Sequence, residues 1–538
     1  MHTFTKQFKI SVNDFPKGMA DIDSHLTPLI SKKTGIEEKH ILSYKILGKS
    51  LDARKKSNLI FNFKIEIEVD PSININDLFL DDPAQQLSKK NKNHNLNSLN
   101  VKKDLPVNPV VIGTGPAGLM TAYLLAQYGL KPIIIDIGKP VDERKKDIKT
   151  FFTDRKANPK SNFAFGEGGA GTFSDGKLFT RTKDPKIKFI LETFVKAGAP
   201  EEILYLKRPH IGSDILPEMV KNIRQEIEKL GGKFVWNSEV DSLIIENDSS
   251  LKNIALANGE KISAPVCFAA VGHSARKLIK NMIESGIEHS LKDFQIGCRI
   301  EHTQEFIDKK QYGITNLPKC LGAAEYNLVN KPKENISGAT TFCMCPGGII
   351  VPMVTEDGHL STNGMSKYAR NSGFANSAII VNQKAQNFPD INEVFNFIEG
   401  IEKKVFNAGG GDYSFPAQKA YSFIRKETGN LDNQETSCNL GIVPARLDGI
   451  LPDRTFTAIS EALKYFEKVM PGFMKSGVLI GAETKISSPV RFIRNMDTFQ
   501  SSVDNLYIVG EGAGYAGGII SAALDGLRSA EKYLSKVE

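Results

Sequence analysis

The feature that most narrows the possible folds is a glycine turn in a fixed setting. Val110-Val111-Ile112 reads as a short buried strand, and Gly113-Thr114-Gly115-Pro116-Ala117-Gly118 follows it directly. Leu119 to Tyr128 is rich in helix formers and stops at Gly129. Pro132-Ile133-Ile134-Ile135-Asp136 then reads as a second strand. A turn that tight, feeding a helix and then a parallel strand, commits this part of the chain to an α/β layer.

The spacing is that of a dinucleotide-binding unit, the Rossmann fingerprint. Gly113 permits the turn, Gly115 lets a pyrophosphate approach the main chain, and Gly118 lets the helix pack close to the strand. Pro116 and Ala117 open the helix, whose N-terminal N–H groups and dipole face the phosphates. Asp136 stands 18 residues beyond Gly118, where a carboxylate can accept from ribose hydroxyls and would repel a 2′-phosphate.

A second glycine-rich segment lies far along the chain. Gly510-Glu511-Gly512-Ala513-Gly514-Tyr515-Ala516-Gly517-Gly518 follows the strand-like Leu506 to Val509 and precedes a helix from Ile519 to Ser535. Glu511 sits where a carboxylate can bond a ribityl hydroxyl, and Gly517, Gly518 and Ile519 open the helix toward an anion. Together the two segments suggest one site built from both ends of a long domain, and its expected occupant is FAD.

The chain has 538 residues, 41% apolar and 24% charged, with a net charge of +7. These values fit a globular protein of several domains. The charge is no electrostatic footprint for nucleic acid. Six cysteines are too few for a disulfide scaffold. No apolar run reaches membrane-spanning length, and the start lacks a signal-peptide core, so the expected location is cytoplasmic, with no membrane partner.

Residues 1–70 read as a small α+β unit. Phe61, Phe63, Ile65, Ile67 and Val69 alternate with polar residues as a half-buried strand, and Lys49 to Lys56 reads as a basic turn. Residues 71–105 are polar, with Lys89 to Asn95 at the centre, and read as a linker. The expected fold is α/β: a Rossmann-like FAD-binding domain (106–290 and 481–538) with an inserted mixed α+β substrate-facing domain (291–480).

Further stretches carry a resemblance. They are Phe163 to Leu178, Phe342-Cys343-Met344-Cys345-Pro346-Gly347-Gly348, Asn363-Gly364-Met365-Ser366, Glu483 to Arg491 and Gly510 to Gly526. With Val111 to Gly118 they make the sequence similar to glutathione-reductase-like two-domain flavoproteins. More narrowly, it resembles the bacterial family of uncharacterised FAD-dependent dehydrogenases. The resemblance implies FAD and redox chemistry without a defined substrate. It implies that the loop with four glycines from Gly166 to Gly171 lies along the flavin, with Gly169, Gly171 and Thr172 in contact. It implies that Val240 bonds adenine through its backbone and that Gly272 packs near FAD. Such proteins more often carry Glu where this chain has Asp136.

Candidates for chemistry are less distinctive. Cys343 and Cys345 could relay electrons as a dithiol/disulfide pair, or serve as packing that shapes the pocket. Arg299 could anchor a substrate carboxylate, and His302 or His210 could supply a proton. Each could equally be a satisfied structural residue. The remaining cysteines lack ligand spacing, and no metal is expected.

No second glycine fingerprint provides for a pyridine nucleotide, so either NAD(P)H binds transiently elsewhere as reductant or another electron partner is used. The expected function is an FAD-dependent oxidoreductase moving a hydride through flavin N5 to or from a small-molecule substrate. Two alternatives stand beside it: a flavoprotein acting on RNA, motivated by the basic N-terminal turn, and a flavin-bound scaffold or sensor with little turnover.

Overall fold

The computed structural model describes residues 2–15, 18–56, 58–73, 96, 99, 105–314 and 316–535. Most of the expected linker, including Lys89 to Asn95, lies outside the described residues.

Near the N-terminus, strands His2–Ser11, Ile60–Val69 and Ile41–Asp52 form an antiparallel sheet in that order. The alternation read from Phe61 to Val69 is realised: all five apolar side chains are buried. Helix Thr27–Thr34 covers them, with Pro28 in its first turn and Gly35 ending it in the left-handed region. The basic turn starts later than expected. Lys49 to Asp52 extend the second strand, and Lys49 is paired with Asp23 at 2.6 Å. Arg54 likewise pairs with Asp52, which leaves this tip less positive than its sequence suggests.

The glycine turn sits on a five-stranded parallel sheet ordered Leu506–Ile508, Cys267–Ala269, Val110–Ile112, Ile133–Ile135 and Lys233–Val235. The two glycine segments therefore leave one sheet, separated by a single strand. Helix Pro116–Gln127 is buried from Ala117 to Ala126, because sheet covers one side and helix Ile519–Leu534 the other. The helices meet through Gly526, where a Cβ would collide with the Ala117 carbonyl. The protein is thus mixed α/β with a parallel sheet.

Between Cys267–Ala269 and Leu506–Ile508 the chain builds a seven-stranded sheet. Its order is Val329–Asn330, Ala339–Cys345, Phe374–Gln383, Phe294–Thr303, Val478–Glu483, Phe415–Lys419 and Ile442–Pro444. Strand Phe294–Thr303 is covered on both faces, so its sequence shows no alternation. Helices Ile391–Ala408 and Asp453–Val469 pack against this sheet. Among the described residues, no helix is long and apolar enough to cross a membrane.

Candidate functional site

Three glycine-rich segments converge on one point. A Cβ on Gly169 would lie 3.1 Å from Gly115, and one on Gly171 would lie 3.4 Å from the Ile519 side chain. One on Gly510 would lie 2.8 Å from the Ala117 Cβ. The middle loop, a short helical turn over Gly169–Phe173, therefore seals against both ends of the Rossmann-type unit. The loop is fixed from behind. Thr172 donates its hydroxyl to the Glu167 carbonyl at 2.8 Å, and Glu167 accepts from Val141 N–H at 2.6 Å and from Arg224 at 2.8 Å.

Around this convergence lies a cavity of about 770 Å³. Its walls include Gly113, Gly115, Pro116, Ala117, Asp136, Gly169, Gly171, Val240, Gly272, Gly510, Glu511, Gly517, Gly518 and Ile519. Two expected contacts fall elsewhere. Gly118 is off the wall, since its role is packing: a Cβ there would collide with the Gly113 carbonyl. Thr172 is also off the wall, buried by the bond that locks the loop.

The cavity has the features of a dinucleotide cradle. Gly115, Gly272 and Gly517 face open space where a Cβ would stand. His273, on the same wall, approaches Glu511 at 3.5 Å through Nδ1, and its buried Nε2 has no hydrogen-bond partner. Asp136 lies at the expected strand end, but its carboxylate already accepts from the Thr114 N–H at 2.8 Å and the Gly138 N–H at 2.8 Å. A carboxylate has about four acceptor positions, so capacity for a ribose hydroxyl remains after these bonds and that of the Thr114 hydroxyl.

The far side is closed by Phe342, Cys343 and Glu483 of the seven-stranded sheet, by Lys485 just beyond it, and by Asn363 on strand Ser361–Ser366 of a separate two-stranded sheet. Of the five residues singled out for chemistry, only Cys343 is on this wall. It stands at a bulge in its strand and adopts φ 45°, a region strained for a side chain with a Cβ. The Cys345 thiol, then Lys177 and Arg299, hold Cys343 below the ordinary thiol value, while burial and its partner push Cys345 above it. Lys177 is fixed by Asp175 at 2.8 Å and donates to the Met344 carbonyl between the two cysteines.

The other four candidates lie off this wall. Cys345 is fully buried behind the wall. The Arg299 guanidinium is engaged within the protein: Glu483 accepts at 2.6 and 2.9 Å, Asn376 at 2.7 Å and Asn363 at 3.1 Å. It orients two side chains that reach the cavity, Glu483 and Asn363. His302 is 2% exposed, lies 2.7 Å from the Phe473 carbonyl, and stacks on Phe306. Burial pushes it down to about 4, so it is neutral at pH 7. His210 stacks on Tyr368 and bonds its carbonyl at 3.0 Å, away from the cavity, and burial lowers it as well.

Sequence reasoning missed a buried charge network at one end of the cavity. Arg276 forms a bidentate pair with Glu402 at 2.9 and 2.6 Å, and Lys485 lies 3.2 Å from the same carboxylate. Burial opposes ionisation of Glu402, but Lys485, Arg276 and Thr484 hold it well below the usual carboxylate range. Burial pushes Lys485 down to about 8. No local pattern marks Arg276 and Glu402, which are separated by more than one hundred positions. Glu483 and Lys485 were flagged only by the resemblance of their segment.

Comparison with known proteins agrees with this cradle. Residues 293–486 match the family described as FAD-dependent protein, C-terminal domain-like, and residues 6–68 match a domain of unknown function (DUF8436). An uncharacterized protein of Clostridium beijerinckii is 36% identical over 539 residues, covering 98% of this chain and 99% of the relative. Solved structures resemble this chain only weakly. L-proline dehydrogenase from P. horikoshii is 13% identical with a TM-score of 0.33, over 79% of this chain and 93% of that one. A geranylgeranyl bacteriochlorophyll reductase-like protein from Thermoplasma acidophilum is 14% identical with a TM-score of 0.33, over 79% and 77% of the two chains. Likeness at that level carries no functional argument.

Cradle and family match define the class as a flavoprotein with FAD as its cofactor. The chain belongs to the family of FAD-dependent proteins that includes the uncharacterized Clostridium beijerinckii protein.

Proposed function

We propose that the protein is an FAD-dependent oxidoreductase acting on a small organic molecule. The observation that carries this reading is the composition of the cavity. One side is a glycine cradle, and the opposite side is a wall of reactive and polar groups carried outside the cradle's sheet. In this reading residues 106–290 and 481–538 form the FAD-binding unit, 291–480 the substrate-facing unit and 1–70 a separate small unit. The family match over 293–486 supports the second boundary pair.

When bound, FAD supplies a two-electron centre that exchanges a hydride at N5. The chain's own groups then divide the remaining work. The N-terminus of helix Pro116–Gln127 and Gly115 would receive the pyrophosphate, and Asp136 would accept from the adenosine ribose. Glu511 and the N-terminus of helix Ile519–Leu534 would hold the ribityl chain and the ring end, where the helix dipole favours negative charge. Val240 would offer main chain to adenine.

On the opposite wall, Phe342 supplies apolar surface, and Glu483 and Asn363 supply polar contacts held by Arg299. Cys343 presents a thiol that its neighbours keep poised to ionise. Lys485, pushed down to about 8 by burial, is able to hold or release a proton near neutral pH.

Purification with riboflavin in the medium tests the cofactor assignment. About one FAD per chain is expected. Anaerobic addition of NADH, NADPH or small reductants should bleach the flavin, and an acceptor should restore it with turnover. Flavin that no reductant bleaches rejects the oxidoreductase reading in favour of a flavin-bound scaffold.

A further inference from the structure

We propose that Glu356, His359 and Glu399 bind one divalent cation of the zinc class on the wall of the FAD cavity. Glu356 and His359 lie in the turn between strands Gly348–Met353 and Ser361–Ser366, and Glu399 lies on helix Ile391–Ala408. One ligand atom from each falls within 4.8 Å of the other two. Glu356 and Glu399 also line the cavity.

The state of His359 is the independent observation. The residue is 8% exposed. Its Nδ1 lies 2.9 Å from the Asp357 carbonyl, an acceptor that places the ring proton on Nδ1. Nε2 is then left with a lone pair, and it is buried without a hydrogen-bond partner, 3.7 Å from the Glu356 carboxylate. A histidine fixed through one nitrogen to a carbonyl, with the other turned to carboxylates, is the arrangement of a metal ligand.

Charge and distance agree with this. Arg276 is the nearest competing cation, but it is engaged with Glu402 and approaches Glu399 only to 3.8 Å. Lys485 is held by Glu402 and Thr355. A tetrahedral ion with bonds of about 2.1 Å sets its ligand atoms about 3.4 Å apart. The His359–Glu356 separation is already close to that, and the flexible Glu399 side chain can supply the remaining contraction.

One imidazole and two carboxylates suit zinc. Calcium requires about six to eight oxygens and does not use imidazole. Three protein ligands leave a fourth position, which an oxygen of a molecule in the cavity can fill, so the ion would act as a Lewis acid or an anchor there.

The test uses the untagged full chain, stripped with EDTA and dialysed against low-micromolar Zn²⁺, with zinc and flavin counted on one sample. About one zinc per chain is expected. Both His359→Gln and Glu399→Gln should weaken zinc binding by at least about tenfold, with flavin content read on the same samples. Equal zinc retention by the parent and both variants overturns the site, as does equal retention of Ca²⁺ and Zn²⁺ by the parent. Should His359→Gln not fold, Glu399→Gln decides alone, since Glu399 is partly exposed. Because flavin is counted separately, loss of the FAD assignment cannot be confused with loss of the metal.

Discussion

Arg299 donates two hydrogen bonds to Glu483, at 2.6 and 2.9 Å, across neighbouring strands of the seven-stranded sheet. The guanidinium is 0% exposed and the carboxylate 3%. Removing one partner leaves the other charge buried and unpaired. Arg299→Met should therefore lose about 3–5 kcal/mol of stability. Urea unfolding of the apoprotein measures this, and a loss under about 1 kcal/mol would mean that the pair is not a structural support.

Two glycines of the same turn should respond in opposite ways. A Cβ on Gly115 meets open space, whereas one on Gly118 collides with the Gly113 carbonyl. Gly115→Ala should fold within about 0.5 kcal/mol of the parent yet bind FAD at least about tenfold more weakly. Gly118→Ala should lose about 1–3 kcal/mol even without FAD. Thermal melts of the apoproteins and flavin fluorescence titrations separate the two effects. A Gly115→Ala variant that binds FAD normally would move the pyrophosphate away from this turn.

Cys343 should be the thiol that reacts first. Its neighbours favour the thiolate, while burial pushes Cys267, Cys298 and Cys438 far above the ordinary value. Iodoacetamide at pH 6.5 should label Cys343 in the apoprotein, and FAD should protect it because both occupy one cavity. Cys345→Ala removes the thiol donor and should shift the labelling profile to higher pH. An unshifted profile in that variant would assign the effect to Lys177 and Arg299 instead.

His302 should make the fold acid-sensitive. Its folded value is about 4, against about 6.5 in an unfolded chain. Between these values the unfolded chain binds a proton that the native protein does not, so stability falls as pH drops through this window. The full difference is about 3 kcal/mol. Denaturant unfolding of apoprotein at several pH values from neutral to 4 should show this slope, and His302→Phe should flatten it. Parallel slopes in parent and variant would place the acid sensitivity elsewhere.

What could be read early was what lies close together in the chain. The first glycine turn needs only a strand, a helix start and a second strand, all between Val110 and Asp136, to declare its geometry. The strand from Phe61 to Val69 shows one face to water, so its alternation is visible. Arg299 and His302 lie on a strand covered on both faces, and there the pattern says nothing about which way a side chain turns or what awaits it.

By itself, the sequence determined the two glycine segments, their shared dinucleotide site and the polarity of the helices that serve it. Those features follow from backbone freedom and dipoles within short windows. Tertiary structure alone decided that Cys343 faces the cavity while Cys345, Arg299, His302 and His210 do not. It also joined Arg276 to Glu402, and Glu399 to Glu356 and His359. Those outcomes depend on how a seven-stranded sheet and its helices pack, and burial, not local pattern, determines which polar groups must find each other.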